Sequence, residues 1–279
     1  MAQTRLLDYT TLVPSAKFSR EVMYRRTYTL TAIILETHKM YSNVLTGVFA
    51  DPNNLHKRGI GKSVYSIKII MQVYNVKDWP KIREYIVFTP EDFVKILDKL
   101  INENIRLPLL VWDDAGFWLN KQRWMNKFVI AVRENMNVIR SYMTSIIFTS
   151  PTYVELARGI RDHLDLAVLI RLKNYDPDPQ KRYSRGRGYK HSEDLFFTNK
   201  KRPEPIFEDM FKLWLPDRIF WPYDEFRKEY VKIGLQRMKQ RIHEIVEELN
   251  EVSSQAEPNK KVDKYEVEEE FIEELQDLL

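Results

Sequence analysis

Gly59-Ile60-Gly61-Lys62-Ser63 is the most informative segment of the sequence. An apolar run, Val44 to Phe49, precedes it and predicts a strand, and a polar loop from Ala50 to Gly61 follows that run. The segment from Lys62 to about Tyr74 has apolar residues at spacings that suit a helix packed on a sheet. A glycine-containing loop between a strand and a helix is where phosphate groups are bound.

The residue types in this loop suit phosphate chemistry. Glycines let backbone N–H groups turn toward phosphate oxygens, and the helix N-terminus adds a partial positive charge. Lys62 is expected to reach the β- and γ-phosphates, and the Ser63 hydroxyl to bind Mg²⁺. Gly59 and Gly61 are two of the eight glycines of the chain and lie within three consecutive positions. This clustering indicates that the backbone here needs a conformation that glycine allows. The predicted nucleotide-binding residues are Gly59, Ile60, Gly61, Lys62, Ser63 and Val64.

The loop departs from the full G-x-x-x-x-G-K-[ST] pattern in two ways. Position 56 carries His56 where the pattern has glycine, and the loop is long, as though residues were inserted before the cradle. A chance Gly-Lys-Ser is the alternative interpretation. Other elements of the chain therefore have to decide between the two.

Two further strands end in polar side chains. The apolar run Leu107 to Trp112 leads into Asp113 and Asp114. A strand that delivers an aspartate beside the phosphate loop holds Mg²⁺ in many nucleotide hydrolases, so Asp113 is predicted to be the metal residue. Asp114 falls where many such enzymes place a glutamate that orients and deprotonates water, and it is one methylene shorter. An ordinary strand followed by an Asp-Asp-Ala-Gly turn is the alternative.

A third strand is predicted at Ser145 to Phe148, and Thr149 and Ser150 follow it before Pro151. A hydroxyl at such a strand end can sense the γ-phosphate when the strand lies between the phosphate-loop strand and the acidic strand. Thr149 is the predicted sensor, with Ser150 next to it. Lys62, Asp113 and Thr149 appear in the expected order along the chain.

The remaining pattern predicts an α/β protein with a parallel sheet. Short strands at Tyr85 to Phe88 and Leu166 to Leu172 alternate with helices, one from Thr89 to about Asn102 and one around Lys121 to Tyr142. Thr89 is the predicted N-cap of the first of these helices, with Pro90 at its first position.

Composition and charge narrow the class of protein. The chain has 279 residues and no cysteine, which excludes a disulfide scaffold, thiolate metal sites and a thiol nucleophile. No apolar run of about 18 residues occurs, so no membrane span is predicted, and a cytoplasmic location is expected. The net charge of +4 combines a basic body with an acidic end, because residues 244–279 hold 13 acidic and three basic side chains.

The chain resembles P-loop ATPases of the additional-strand group, near the AAA+ and replication-initiator type. More closely, it is similar to ATPases encoded by viruses and plasmids of thermophilic, crenarchaeal hosts. The stretches that carry the resemblance are Gly59–Ser63, Phe88–Phe93, Trp112–Trp118, Phe148–Pro151 and Ile160–His163. The abundance of Lys, Glu, Arg and Tyr agrees with a thermophile. The resemblance implies binding of ATP and Mg²⁺, self-association into a homo-oligomer, and a catalytic arginine from a neighbouring subunit. The candidates for that arginine are Arg133, Arg140, Arg158 and, first among them, Arg161.

On this basis the fold class is an α/β, parallel-sheet P-loop NTPase core with helices on both faces. Residues 1–40 are predicted as an N-terminal segment and 41–172 as the ATPase core. Residues 173–222 are predicted as a basic hairpin or loop extension. Residues 223–279 are predicted as amphipathic C-terminal helices with an acidic tail, separated by a linker at 253–261.

The basic extension suggests contact with nucleic acid. Its lysines and arginines can neutralise phosphates, and the interleaved aromatic residues can stack on exposed bases. The predicted contact residues are Lys181, Arg182, Arg185, Arg187 and Lys190. A solvated loop is the alternative. The acidic helices could pair with the basic body, mediate self-association or recruit a protein partner.

Three functions fit these patterns. The first is an ATPase of an archaeal virus or plasmid that couples ATP to DNA replication initiation or DNA remodelling. The second is a motor for DNA packaging or conjugation. The third is a nucleotide-gated assembly protein with little hydrolysis.

Overall fold

The structure is a computed structural model, and it describes residues 27–54, 57–119, 127–196 and 202–256. Seven strands lie within these ranges. In chain order they are β1 (Val44–Ala50), β2 (Ile86–Val87), β3 (Leu107–Trp112), β4 (Met143–Ser150), β5 (Leu166–Leu172), β6 (Tyr183–Lys190) and β7 (Phe207–Lys212).

The described helices connect or follow these strands. They are α1 (Thr29–Lys39), α2 (Lys62–Val73), α3 (Trp79–Arg83), α4 (Pro90–Glu103), α5 (Ala115–Trp118), α6 (Lys127–Glu134), α7 (Met136–Tyr142), α8 (Arg158–Arg161) and α9 (Asp217–Ala256). No helix in these parts of the chain is long and apolar enough to cross a membrane.

All seven strands form one sheet in the order β2-β3-β4-β1-β5-β6-β7. The five strands from β2 to β5 in this order are parallel, and β6 and β7 are antiparallel additions at one side. Every residue of β1 and of β4 is buried. Central parallel strands covered on both faces carry nearly continuous apolar runs, which is why these strands could be predicted from the sequence.

The start of α4 is also as predicted. The backbone N–H of Asp92 donates a 3.1 Å hydrogen bond to Thr89 Oγ1, and Pro90 occupies the first helical position. The cap satisfies a backbone donor that the first turn leaves without a partner inside the helix. α4 therefore begins at a defined residue and follows β2 with no long connection.

The extension predicted at 173–222 contains the antiparallel strand pair β6 and β7, and the sequence did not predict that this pair continues the central sheet beyond β5. The buried positions of β6 are Ser184, Gly186, Gly188 and Tyr189, of which only Tyr189 has a large side chain, so no alternating apolar pattern marks the strand. Gly188 has no room for a side chain, since an added Cβ would lie 2.1 Å from the ring of Phe207. Large side chains from neighbouring elements fill the core here, so the strand itself looks polar in sequence.

Two predicted helix boundaries also need correction. The helix expected around Lys121 to Tyr142 is described as α6 and α7, which are separated at Asn135, and its first residues lie outside the described ranges. The long C-terminal helix begins at Asp217, before the predicted start at Tyr223, and it continues to Ala256 through the first part of the predicted linker.

The chain divides into two compact units, residues up to Phe220 and residues from Trp221 onward. The sheet and its connecting helices belong to the first unit. The second unit contains most of α9, a helix of 40 residues. The last predicted helix, with Val267 and Leu278 on its apolar side, and most of the N-terminal segment predicted at 1–40 lie outside the described residues.

Candidate functional site

Three adjacent parallel strands end at the same edge of the sheet. β1 runs into the glycine-containing loop, β3 is followed by Asp113, and β4 ends with Thr149 and Ser150. β4 lies between β1 and β3, in the position predicted for the additional strand. The strand order therefore brings the carboxyl ends that carry these side chains to one edge, which in open α/β sheets is where ligands bind.

Asp113 and Thr149 contact each other directly. Thr149 Oγ1 donates a 2.6 Å hydrogen bond to Asp113 Oδ1, and both side chains are fully buried. The same hydroxyl accepts a 2.9 Å hydrogen bond from the backbone N–H of Asp114. The position of the carboxylate is fixed further by the backbone of Asp113, whose N–H donates to the carbonyl of Val87 at 2.9 Å. The threonine hydroxyl thus orients the aspartate and the start of the following turn together.

Asp114 begins that turn with an unusual backbone. Its φ of 51° lies in the left-handed region, which aspartate tolerates better than most residues. Its side chain is partly exposed, and its carbonyl accepts a hydrogen bond from the N–H of Phe117 at the start of α5. The turn therefore places the second carboxylate beside, rather than within, the buried pair of Asp113 and Thr149.

Ser150 serves the packing of the same edge. Its hydroxyl lies 2.9 Å from Glu155 Oε2 and 2.9 Å from the carbonyl of Thr152. A Cβ added to Gly116 in α5 would lie 2.3 Å from Ser150 Oγ. Gly116 thus allows α5 to approach the end of β4 closely, and of the two predicted hydroxyls it is Thr149 that contacts Asp113.

The glycine-containing loop has two left-handed residues. Gly59 has a φ of 68° and Gly61, which immediately precedes α2, has a φ of 97°. An added Cβ on Gly61 would lie 2.2 Å from Leu213 Cδ2 and 3.0 Å from the ring of Phe211, whereas none of the described atoms lies within 4 Å of one on Gly59. Gly61 is therefore required both by its backbone and by its neighbours.

The lysine of the loop is largely enclosed by it. Only 8% of the surface of Lys62 is exposed, and its Nζ donates a 2.7 Å hydrogen bond to the backbone carbonyl of Lys57. Ser63 and Val64 follow in the first turn of α2 and are partly buried. The carbonyl of the buried Ile60 accepts a 2.8 Å hydrogen bond from Ser184 Oγ of β6. His56, where the sequence departs from the full motif, lies outside the described residues.

An ion pair that the sequence did not predict secures the start of this loop. Arg202 Nη1 lies 2.8 Å from Asp51 Oδ1, and the side chains are 16% and 9% exposed. Asp51 follows β1, and its carboxylate also accepts the backbone N–H of Asn53 at 3.0 Å. In the sequence, Arg202 is one of many lysines and arginines between residues 171 and 202. Without the fold, nothing distinguished it from the others.

Arg161, the first candidate for a catalytic arginine, packs on an aromatic cluster. Its guanidinium lies 4.6 Å from the ring centre of Tyr153, which stacks on Phe196 at 3.8 Å. His191 Nε2 lies 3.0 Å from the hydroxyl of Tyr153. Burial raises the pKa of Tyr153 to about 12, although the positive charge of Arg161 opposes that rise. These contacts describe a packing role for Arg161 within one subunit.

The other candidate arginines lie elsewhere. Arg140 pairs with Asp165 at 3.1 Å, at the edge of the sheet where β4 and β5 begin. Arg158 lies 3.8 Å from Asp162, and both side chains are largely exposed. The side chain of Arg133 lies outside the described residues.

Two of the predicted nucleic-acid residues stabilise the turn between β5 and β6. Lys181 lies 3.6 Å from Asp178, and both side chains are exposed to solvent. Arg182 donates from Nε to the carbonyl of Asp176 at 2.5 Å, and its guanidinium lies 5.5 Å from the ring centre of the exposed Tyr175. This turn lies at the same edge as the glycine-containing loop, because β5 ends there.

The other three predicted contact residues, Arg185, Arg187 and Lys190, lie within β6. Arg187 Nε lies 2.8 Å from Glu208 Oε2, and Arg185 Nη1 lies 3.5 Å from the same oxygen. Partial burial alone would raise the pKa of Glu208, but the hydrogen bonds and charges of these two arginines hold it below its usual value. Lys190 is exposed at the far end of the strand. The carboxylate of Glu208 thus neutralises part of the positive charge of Arg185 and Arg187.

Two viral proteins are similar in sequence to this chain. Uncharacterized protein B-251 of Sulfolobus spindle-shape virus 1 is 25% identical over 212 residues, which cover 73% of this chain and 82% of the relative. Uncharacterized protein ORF286 of Acidianus two-tailed virus is 27% identical over 122 residues, 42% of each chain. The sequence matches no family model. These similarities are consistent with the predicted viral origin.

The oxygen atoms at the carboxyl edge suit a metal ion shared with a ligand. Mg²⁺ is usually held by one or two carboxylates together with phosphate oxygens and water. Asp113 and Ser63 offer such oxygens. The described part of the chain contains no group of three or more acidic or histidine side chains that could hold a metal by themselves. The oxygen donors of Asp113 and Ser63 are of the type that Mg²⁺ accepts when phosphate oxygens and water complete its coordination.

Proposed function

We propose that this protein is a P-loop ATPase of the additional-strand group, encoded by a virus of archaea, which binds ATP with Mg²⁺. The observation that carries the proposal is the 2.6 Å hydrogen bond from Thr149 to the buried Asp113, at the sheet edge where the loop 59–63 leads into α2. The strand order supports it, since the strand of Thr149 lies between the other two.

Each residue has a role in binding the nucleotide. The backbone N–H groups of the loop and the start of α2 surround the phosphates, and Gly61 gives the turn its left-handed backbone. Lys62 moves its ammonium from the carbonyl of Lys57 to the β- and γ-phosphate oxygens.

Hydrolysis depends on the buried pair of Asp113 and Thr149 and on the adjacent Asp114. Asp113 and Ser63 would hold Mg²⁺, which when bound would supply positive charge that neutralises the phosphates. Thr149 keeps the carboxylate of Asp113 oriented. Asp114 orients and deprotonates the attacking water. Because its carboxylate is one methylene shorter than that of a glutamate, turnover is slow.

We further propose that the ATPase acts on DNA, with the basic residues of β6 and its preceding turn in contact with phosphates. The exposed side chains of Lys181 and Lys190 and the partly exposed Arg187 support this role, as does the exposed Tyr175 beside Arg182. The ATPase would use the nucleotide to assemble on DNA or remodel it during replication initiation in the host cytoplasm, as a homo-oligomer.

A nucleotide-gated assembly protein is the second candidate function. The position of Asp114 favours it, because its partly exposed side chain lies outside the buried pair of Asp113 and Thr149. Such a protein binds ATP through the same loop but changes its assembly without useful hydrolysis.

ATP turnover with and without DNA tests the function. Wild type, Lys62→Ala and Asp114→Ala are assayed alone, with single-stranded and with duplex DNA. The ATPase proposal expects slow turnover that both substitutions abolish. Turnover that DNA stimulates strongly, together with directional movement, indicates a motor. ATP binding without turnover in wild type, unaffected by Asp114→Ala, indicates the assembly protein. Turnover that survives Lys62→Ala overturns the proposed site.

A further inference from the structure

Strand β6 has two faces with different neighbours. Ser184, Gly186 and Gly188 are buried on the face toward α2, where an added Cβ on Gly186 would lie 3.7 Å from the ring of Tyr65. Alternate residues of a strand point to opposite faces. Arg185 and Arg187 therefore lie on the other face, which we call the outer face.

The buried face of the β6–β7 pair, which we call the inner face, contacts the phosphate loop. Ser184 is fully buried, and its hydroxyl donates to the carbonyl of Ile60 at 2.8 Å. Leu213, which follows β7, packs against Gly61. Ile60 and Gly61, the last two residues before α2, are thus both in contact with this pair of strands or the residue after it.

A second contact links β7 to α2 itself. The hydroxyl of Tyr65 donates a 2.7 Å hydrogen bond to Asp209 Oδ2, and both side chains are buried. The same carboxylate accepts the backbone N–H of Thr29 at 2.8 Å. Because burial makes these polar contacts costly to break, β7, α2 and the loop are held as one unit.

The outer face carries positive charge that is available to an anion. Arg171 of β5 pairs in register with Arg185, and Arg187 follows two residues later on the same face. Glu208 contacts Arg185 and Arg187, so three positive charges face one negative charge. Arg187 is 38% exposed and Arg171 is exposed, which leaves their guanidinium groups accessible to phosphate oxygens.

Ser184 and Arg185 are consecutive residues with side chains on opposite faces. We propose that Ser184 is a positioning residue through which a nucleic-acid strand bound by the exposed Arg171 and Arg187, next to the largely buried Arg185, changes the affinity of the phosphate loop for ATP. This inference rests on the proposed function. A strand cannot shift or twist at Arg185 without moving Ser184, and Ser184 fixes the carbonyl of Ile60. Since linkage is reciprocal, ATP changes the affinity for nucleic acid by the same factor.

The test measures the coupling between the two ligands. The dissociation constant of Mg·ATP is determined by titration of the full chain, with and without a saturating mixed-sequence single-stranded oligonucleotide. In wild type the oligonucleotide is expected to change this constant by about fivefold or more. In Ser184→Ala the change is expected to fall below about twofold, while ATP binding without DNA weakens by about fivefold for the loss of one buried hydrogen bond.

A matched control removes a buried hydroxyl elsewhere. Thr144 is fully buried and lies 2.6 Å from the ring of His38, at the edge where β4 begins. Thr144→Val is expected to lower stability but to keep the wild-type coupling. Thermal unfolding verifies that each variant is folded. If Ser184→Ala does not fold, Leu213→Ala carries the test, and it is expected to reduce the coupling because it removes the packing against Gly61.

The outcomes separate the two proposals. If wild type binds both ligands independently, or if Ser184→Ala keeps the full coupling, the role of Ser184 is wrong and the ATPase proposal stands. If wild type binds ATP but no oligonucleotide, the effector on the outer face is wrong. If duplex DNA alone produces the coupling, the single-stranded effector is wrong. If wild type does not bind Mg·ATP, the proposed function itself fails.

Discussion

Thr149 donates a hydrogen bond of 2.6 Å to Asp113, and both side chains are fully buried at the carboxyl edge of the sheet. The two residues are 36 positions apart in sequence and meet because β3 and β4 are adjacent and parallel. A buried carboxylate with a fixed hydroxyl donor keeps one orientation, which a metal ligand needs. This contact also holds the N–H of Asp114, so a change at Thr149 affects both carboxylates.

Replacing Thr149 by valine is expected to lower ATP turnover by about 10- to 100-fold, as is usual when a group that orients a metal ligand is lost. The variant keeps the side-chain volume but cannot donate to Asp113 or accept from Asp114. Steady-state turnover measures the effect. Thr149→Ser retains the hydroxyl and should keep most of the activity. Wild-type turnover in Thr149→Val would show that the contact has no part in the reaction.

The two glycines of the loop should differ in their tolerance of alanine. Both have positive φ, which costs about 1–2 kcal/mol in a residue with a side chain. Only Gly61 also lacks space, because Leu213 lies 2.2 Å from an added Cβ. Gly61→Ala should therefore lose more unfolding free energy in urea than Gly59→Ala, and Leu213→Ala should restore part of the loss. Equal losses in the two alanine variants would argue against the close packing of Gly61.

The ion pair of Asp51 and Arg202 should contribute to the stability of the loop. Its side chains are mostly buried, so removal of one partner leaves the other charge with little compensation, at a cost of about 3–5 kcal/mol. Asp51→Asn and Arg202→Met are expected to lower the unfolding free energy individually. The double variant is expected to lose less than the sum of the two, as measured by urea unfolding. Additive losses would mean that the two side chains act independently.

Glu208→Gln should strengthen binding of single-stranded DNA. The carboxylate contacts both Arg185 and Arg187, and its neutralisation leaves their charges for phosphates. Each additional phosphate contact should steepen the slope of log affinity against log salt concentration by about 0.7. Fluorescence anisotropy at several salt concentrations measures this slope. Glu103→Gln, the same charge change at the exposed end of α4, is the control. The same small gain in both variants would indicate only a general charge effect.

The parts of the fold that could be predicted are those where local sequence and burial agree. β1 and β4 are buried along their whole length, and each contains an apolar run that marks it as a strand, Val44 to Phe49 and Ile146 to Phe148. Thr89 caps α4 in the way its position before Pro90 indicates. The loop at 59–61 was visible because glycine is scarce in this chain. The position of the strand of Thr149 between β1 and β3 was predicted, whereas its hydrogen bond to Asp113 was not.

The remaining features depend on contacts between distant segments. β6 was not predicted as a strand of the sheet, since Ser184 and its neighbouring glycines are buried under Tyr65 and Phe207. The hydrogen bond from Ser184 to Ile60 joins residues 124 positions apart, and the pair of Arg202 and Asp51 joins residues 151 positions apart. No local pattern marks such partners, because their identity is set only by the register of the strands that carry them.

The affinity of Lys62→Ala for Mg·ATP shows whether the loop 59–63 binds the nucleotide. Isothermal titration of wild type, Lys62→Ala and Lys77→Ala compares the loop lysine with an exposed lysine beyond the end of α2. If the loop 59–63 binds ATP, wild type and Lys77→Ala bind with equal affinity. Lys62→Ala then binds at least about tenfold more weakly, because it loses charged hydrogen bonds to the phosphates. Equal affinity in all three proteins, or no binding in wild type, would contradict the account.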